Sequence, residues 1–144
     1  MENLLLADDD MDDRLFFQDA VEDLFSTTTL STVSDGVELM EFLTNNTGQL
    51  PDVLFLDLNM PRKTGCECLL EIKCNEELKF IPVVIFSTSM DIDMVNKLYE
   101  MGAHYYIRKP GDFGILKKAI NQATVLLTVD KINQPERSKF IIQC

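Results

Sequence analysis

Side chains that could do chemistry together follow four short apolar segments of the chain. Three aspartates, Asp8–Asp10, come directly after LLLA, and Asp57 ends the segment DVLFLD. Ser87 follows IPVVIF, and Lys109 follows HYYIR. Carboxylates that lie close together repel, and a hard divalent cation such as Mg²⁺ relieves the repulsion. With an ammonium and a hydroxyl nearby, this set suits phosphoryl transfer in which the Asp57 carboxylate attacks.

Each of these residues also has an ordinary structural explanation. A run of aspartates after a strand often caps the following helix, and Lys109 or Ser87 alone is a common loop residue. Asp57 is harder to explain in this way, because a carboxylate beside a wholly apolar segment is costly without a partner. The four positions together are therefore much more specific than any one of them.

The elements that must position these residues alternate between apolar and amphipathic. Continuous apolar strands are covered on both faces, and strands that alternate with helices predict an open, doubly wound parallel α/β sheet. In such sheets, functional groups gather at the carboxyl ends of the strands. The predicted strands are Asn3–Ala7, Thr28–Val33, Asp52–Asp57, Ile81–Phe86 and His104–Ile107, and the predicted helices are Asp12–Phe25, Val37–Asn45, Cys66–Cys74, Asp91–Met101 and Asp112–Thr128.

The composition of the chain argues against several classes of function. The 144 residues have ordinary globular content and a net charge of −11, which argues against nucleic-acid and anionic-membrane binding. No apolar run approaches the roughly 20 residues of a membrane span, and the N-terminus lacks a secretory signal, so we expect a cytoplasmic protein. A single histidine and four cysteines without a CxxC pair argue against a zinc site, and we expect reduced cysteines.

Four segments carry a resemblance to a known family. LLLADDD (4–10), LFLDLNMPRKTG (54–65), VVIFSTS (83–89) and GAHYYIRKP (102–110) resemble the receiver domains of response regulators. The resemblance covers residues 3 to about 128. It implies a flavodoxin-like (βα)5 fold with strand order 2-1-3-4-5, which the chemotaxis receiver shares. It divides the chain into a receiver domain, 1–128, and a C-terminal tail, 129–144, with no output domain.

The resemblance also implies site roles. Asp57 would accept a phosphoryl group from a sensor histidine kinase or phosphotransfer protein. Asp8 (largely through water), Asp9, Asp57 and the backbone carbonyl of Asn59 would hold Mg²⁺, with Mn²⁺ as a possible substitute. Lys109 would pair with the phosphoryl oxygens. Beyond this self-phosphorylation and slow self-dephosphorylation, no enzymatic activity is expected.

The same resemblance implies a switch that is read by another protein. Ser87 is the hydroxyl switch residue and Tyr106 the aromatic one, and the side chains of Asn59 and Ser89 would set the phosphate lifetime. The resemblance implies a cis Lys109–Pro110 bond. Strand alternation sends one of the adjacent residues Tyr105 and Tyr106 inward and the other outward. The resemblance implies that Tyr106 is the inward one, with Tyr105 packed on the other face.

Three other functions are weighed against this one. A constitutive protein-binding module of receiver fold would show loss of Asp57 or Lys109, and neither is lost. A flavodoxin-like electron carrier needs a phosphate loop where Asp8–Asp10 stand, and an aspartate-based phosphatase needs a second carboxylate where Asn59 stands. The sequence leaves the kinase, the downstream effector and the oligomeric state undetermined. Three alternatives remain for the apolar segment Phe140–Ile142: it packs on its own domain, pairs with another subunit or is disordered. Packing on its own domain is favoured.

Overall fold

The fold is a five-stranded parallel sheet with helices on both faces. A computed structural model describes residues 1–143; Cys144, one of the four cysteines expected to be reduced, lies outside the described residues. The strand order is β2-β1-β3-β4-β5, which confirms the predicted flavodoxin-like topology. The strands are β1 (Asn3–Ala7), β2 (Thr29–Val33), β3 (Val53–Leu56), β4 (Val83–Ser87) and β5 (Tyr105–Arg108).

Each of the five α-helices begins at a side chain that accepts a hydrogen bond from the first turn. The N-caps are aspartates except for Thr64, which forms a reciprocal capping box with Glu67. Asp10 caps the first helix, the ordinary structural role of an aspartate that follows a strand. The helices are α1 (Met11–Leu24), α2 (Gly36–Asn45), α3 (Gly65–Lys73), α4 (Ile92–Glu100) and α5 (Phe113–Val129).

Two apolar layers hold the helices to the sheet. Alternation along β1 sends Leu4 and Leu6 to one face and Leu5 to the other. The first face packs against α1 and α5, where Phe17 contacts Phe55 with ring centroids 4.9 Å apart. The second face packs against α2, α3 and α4. Within the described residues, no helix combines the length and hydropathy that a membrane crossing requires.

The C-terminal tail folds back onto the open edge of β5. Phe140 is fully buried, and Ile141 forms a parallel bridge with Tyr106. The Tyr106 N–H donates to the Phe140 carbonyl at 3.0 Å, and the Ile142 N–H donates to the Tyr106 carbonyl at 2.9 Å. A short 3₁₀ helix, Arg137–Lys139, precedes this contact. The structure thus confirms that Phe140–Ile142 packs on its own domain.

The differences from the predicted elements are small and local. Strand β4 begins two residues later than predicted, after Pro82, which has no N–H for a sheet ladder. His104 precedes β5 rather than starting it; it is buried, and its Nδ1 accepts from the Val83 N–H at 3.4 Å. The prediction of a cis Lys109–Pro110 bond is wrong, because the described residues contain no cis peptide bond. The chain takes the trans form that X-Pro bonds prefer by roughly 0.5–1 kcal/mol.

Candidate metal centre at the sheet edge

The strand register brings the predicted site residues to one edge of the sheet. Ala7 pairs with Leu56, so Asp8 and Asp57 leave the sheet side by side. The Asp57 N–H donates to the Ala7 carbonyl at 3.0 Å. On the neighbouring strands, the Lys109 N–H donates to the Ser87 carbonyl at 2.8 Å. Asp8, Asp57, Ser87 and Lys109 therefore converge as the sequence predicted.

Three carboxylates form the centre of this edge. Asp8, Asp9 and Asp57 each offer an oxygen within 4.8 Å of the others. Asp8 and Asp57 are buried, whereas Asp9 is exposed to solvent. Burial raises the pKa of Asp57 to about 6 against the opposing charge of Lys109, and burial also raises the pKa of Asp8. These hard oxygen donors are crowded, and the two buried ones are poorly solvated, so the set fits a divalent cation.

The Lys109 ammonium is surrounded by carboxylates. Its Nζ lies 2.8 Å from Asp8 Oδ2, 2.9 Å from Asp13 Oδ2 and 3.4 Å from Asp57 Oδ2. Burial alone would lower the pKa of Lys109, but the hydrogen bonds to Asp8 and Asp13 and the charge of Asp57 raise it above its ordinary value. Lys109 therefore stays an ammonium and supplies a fixed positive charge beside Asp57.

Asp13 is the member of this set that the sequence reasoning missed. It lies in the first turn of α1, three residues after the N-cap Asp10, whose Oδ1 accepts its N–H at 3.1 Å. A signal for it existed, because the first turn of the helix that follows β1 must lie over the same sheet edge. Asp13 is thus placed against Lys109 by a cap that the sequence did predict.

Ser87, Ser89 and Tyr106 form a continuous set of hydrogen bonds next to the carboxylates. The buried Ser87 Oγ accepts from the Ser89 N–H at 3.2 Å, and the Tyr106 hydroxyl donates to the Ser89 carbonyl. Tyr106 is fully buried on the α4 face and Tyr105 packs on the α5 face, as strand alternation predicted. The aromatic ring of Tyr106 therefore already lies inside.

A cleft of about 540 Å³ opens the site to solvent. Asp57, Asn59, Thr88 and Lys109 line it, together with the segment Asp9–Asp13. Asn59 thus lies in the same cleft as Asp57. Ser89 instead turns its hydroxyl toward Asp91, whose N–H it accepts at 3.4 Å.

Gly65 fixes the backbone behind Asp57. Its N–H donates to the Leu58 carbonyl at 2.9 Å. A Cβ at this position would lie 2.3 Å from the Asp57 carbonyl oxygen, a distance that no side chain allows. The loop that follows β3 can therefore pack against the backbone of Asp57 only with glycine at the start of α3.

The comparisons with known proteins agree with this geometry. Residues 4–121 match the family model described as response regulator receiver domain. Response regulator Rcp1 of Synechocystis sp. is 35% identical over 125 residues, which cover 81% of this chain and 82% of Rcp1.

Two solved structures have the same fold at 31% identity, and each match covers 94% of this chain and 99% of the other. One is the phosphorylated cyanobacterial phytochrome response regulator RcpA, with a TM-score of 0.79, and the other is the Mn²⁺-bound form of Rcp1, with a TM-score of 0.76. The chain belongs to the response regulator receiver domain family of two-component signalling.

Proposed function

We propose that this receiver accepts a phosphoryl group on Asp57 from the phosphohistidine of a sensor histidine kinase or phosphotransfer protein. The observation that supports this most is the position of the Asp57 carboxylate. It is 4% exposed, it lines the open cleft, and it lies close to the acidic pair Asp8 and Asp9 and to the ammonium of Lys109.

The proposed transfer uses the residues as follows. A carboxylate oxygen of Asp57 attacks phosphorus, and the bond from phosphorus to the imidazole nitrogen of the donor breaks. Lys109 neutralises charge on the phosphoryl oxygens, and the Ser87 hydroxyl donates to one of them. Asp8, Asp9, Asp57 and the Asn59 carbonyl would hold Mg²⁺, which when bound supplies further neutralisation of the same oxygens.

The proposed output is a change in the face formed by α4, β5 and α5. Phosphorylation adds about two negative charges. If Ser87 turns to the phosphoryl group, its Oγ gives up the N–H of Ser89, and the carbonyl of Ser89 holds the Tyr106 hydroxyl. Asp57 is thereby linked to Tyr106 through two serines. Asn59 and Ser89 would set the phosphate lifetime.

The domain bounds and the cellular location are proposed together with this function. We assign 1–128 to the receiver domain and 129–144 to its tail, and we place the protein in the cytoplasm, where kinase and receiver would meet. Family membership favours a receiver over an electron carrier or a phosphatase.

A small phosphodonor with Mg²⁺ tests the acceptor directly. Intact-mass spectrometry should show one added phosphoryl group on the wild type and on Asp19→Asn, an exposed carboxylate of α1. Asp57→Asn should stay unmodified. Equal labelling of wild type and Asp57→Asn would overturn the proposal.

One observation favours a second candidate, a constitutive binding module of receiver fold. Tyr106 is already buried without a phosphoryl group, so the face that carries it needs no phosphorylation to adopt this form. Pull-downs with unmodified and Asp57-phosphorylated protein separate the two functions. Equal capture of the same partners by both forms would support the module.

A further inference from the structure

The Lys109 ammonium is crowded by carboxylates, and its Nζ donates a hydrogen bond to Asp13 Oδ2 at 2.9 Å. An ammonium carries three N–H groups, and three carboxylate oxygens, from Asp8, Asp13 and Asp57, lie within 3.4 Å of Nζ. The side chain of Lys109 is only 11% exposed, so little space remains for a fourth partner. A phosphoryl oxygen on Asp57 would therefore compete with these carboxylates for the N–H groups of Lys109, and the hydrogen bond that it must compete with is the one to Asp13.

Asp13 differs from the other two partners of Lys109. Asp8 and Asp57 belong to the group of three carboxylates that a divalent cation would share, and Asp13 does not. A bound cation would therefore offset the charges of Asp8 and Asp57 directly and leave the Asp13–Lys109 contact in place. At 2.9 Å, Asp13 is also closer to the ammonium than Asp57 is.

We propose that Asp13 is a positioning residue that holds the Lys109 ammonium toward α1 and so weakens the binding of a phosphoryl group at Asp57. The inference rests on the proposed function of Asp57 and deepens it. A phosphoryl group at Asp57 competes with Asp13 for the ammonium, and this competition biases the receiver toward its unphosphorylated state.

The chain supplies a matched control one residue away. Asp12 lies in the same turn of α1, lines the same cleft and carries the same charge. Among the described residues, its carboxylate is not one of the oxygens paired with Lys109. A general effect of negative charge near the cleft would act through both aspartates, whereas an effect through Lys109 requires Asp13.

Beryllofluoride at saturating Mg²⁺ gives the first measurement, by calorimetric titration of the whole chain. Asp13→Asn should bind this phosphoryl mimic about tenfold more tightly than the wild type, the size of one charge-assisted hydrogen bond regained. Asp12→Asn should change the dissociation constant less than about twofold, and Asp13→Glu should return it toward the wild-type value. Equal effects of Asp12→Asn and Asp13→Asn, or no tightening by Asp13→Asn, would overturn the proposal.

The affinity for Mg²⁺ alone gives a second measurement. The two measurements together exclude a damaged fold, because damage would weaken both affinities. Without Asp13, the ammonium turns to Asp8 and Asp57 and competes with the cation. Asp13→Asn should therefore bind Mg²⁺ more weakly than Asp12→Asn does, although it binds beryllofluoride more tightly. Loss of both affinities would contradict the proposal.

The two measurements also separate this inference from the proposed function. A wild type that binds Mg²⁺ and no beryllofluoride would remove the phosphoacceptor function. The Mg²⁺ comparison between Asp12→Asn and Asp13→Asn would then still decide whether Asp13 controls Lys109.

Discussion

Strand β5 contacts two regions of opposite character. At its carboxyl end, Lys109 lies among Asp8, Asp13 and Asp57, so one positive charge faces three carboxylates. Along its open edge, Tyr106 exchanges two backbone hydrogen bonds with the tail and packs against Phe140. The first region holds like charges together against their repulsion, and the second satisfies its polar groups and buries apolar surface.

This difference indicates that the tail contact stabilises the fold, whereas the carboxylate cluster is held at a cost in stability for the proposed chemistry. The raised pKa of Asp57 means that the folded chain disfavours the ionised form that the proposed chemistry needs. The tail has no such conflict. Gln134 Nε2 donates to the carbonyls of Tyr99 and Ala103, and the Tyr99 hydroxyl donates to the carbonyl of Pro135.

The largest expected effect tests whether the tail stabilises the fold. Phe140→Ala should lower the free energy of unfolding by about 3–5 kcal/mol, because it removes a fully buried ring that contacts Tyr99 and Tyr106. Urea denaturation measures the loss. Phe80→Ala, at a ring that is 71% exposed, should cost less than about 0.5 kcal/mol. Similar losses for both variants would show that the tail contributes little.

The next effect has the opposite sign and tests the charged region. In metal-free buffer at pH 7.5, Asp57→Asn should raise the free energy of unfolding by about 3 kcal/mol. The pKa of Asp57 lies near 6 in the folded chain, against an ordinary value of 3.8. Ionisation therefore opposes folding fully above pH 6 and progressively less toward pH 4, below which the gain disappears.

Unfolding curves at several pH values, with Asp19→Asn as the exposed control, measure this gain. A gain that stays constant between pH 4 and pH 8 would contradict the electrostatic explanation.

A smaller effect concerns the residue that joins the two regions. Tyr106→Phe removes the hydroxyl that donates to the Ser89 carbonyl and should cost about 1 kcal/mol of unfolding free energy. Tyr105→Phe, on the opposite face of the same strand, is the matched control and should cost less. If the two variants lose the same amount, the Ser89 contact does not hold the ring.

The smallest effect separates apolar from polar contributions within the tail. Arg137 Nε donates to Asn96 Oδ1 at 2.8 Å on the surface. Arg137→Ala should change the free energy of unfolding by less than about 1 kcal/mol, because exposed polar contacts exchange readily with water. A loss comparable to that of Phe140→Ala would move the stabilising contact from the apolar ring to the surface.

Much of the fold and of the carboxylate cluster could be predicted, because both depend on local patterns. The apolar runs marked the strands, and the parallel topology then placed Asp8, Asp57, Ser87 and Lys109 at one edge. Strand alternation predicted that Tyr105 and Tyr106 lie on opposite faces of the sheet, and the family resemblance indicated that Tyr106 is the inward one. The strands and the convergence of these residues need only the sequence pattern, whereas the strand order came from the family resemblance.

What could not be predicted depends on contacts between distant side chains. The Asp13–Lys109 pair joins residues 96 positions apart, and nothing in the segment DDDMDDR distinguishes Asp13 from Asp12. The burial of His104 depends on the Val83 backbone of the neighbouring strand. The sequence favoured packing of the tail on its own domain but could not establish it, since a short apolar end can pack on any suitable surface.

The pairing of Ile141 with Tyr106 has a consequence for the solubility of shortened versions of the chain. It occupies backbone groups on the outer side of β5, where an uncovered strand offers a template for aggregation. Strand β2, at the other side of the sheet, presents exposed Thr29 and Thr32 instead of apolar residues. A protein that ends at residue 129 should therefore precipitate through β5 rather than β2, and it is a poor choice for crystallisation or binding assays.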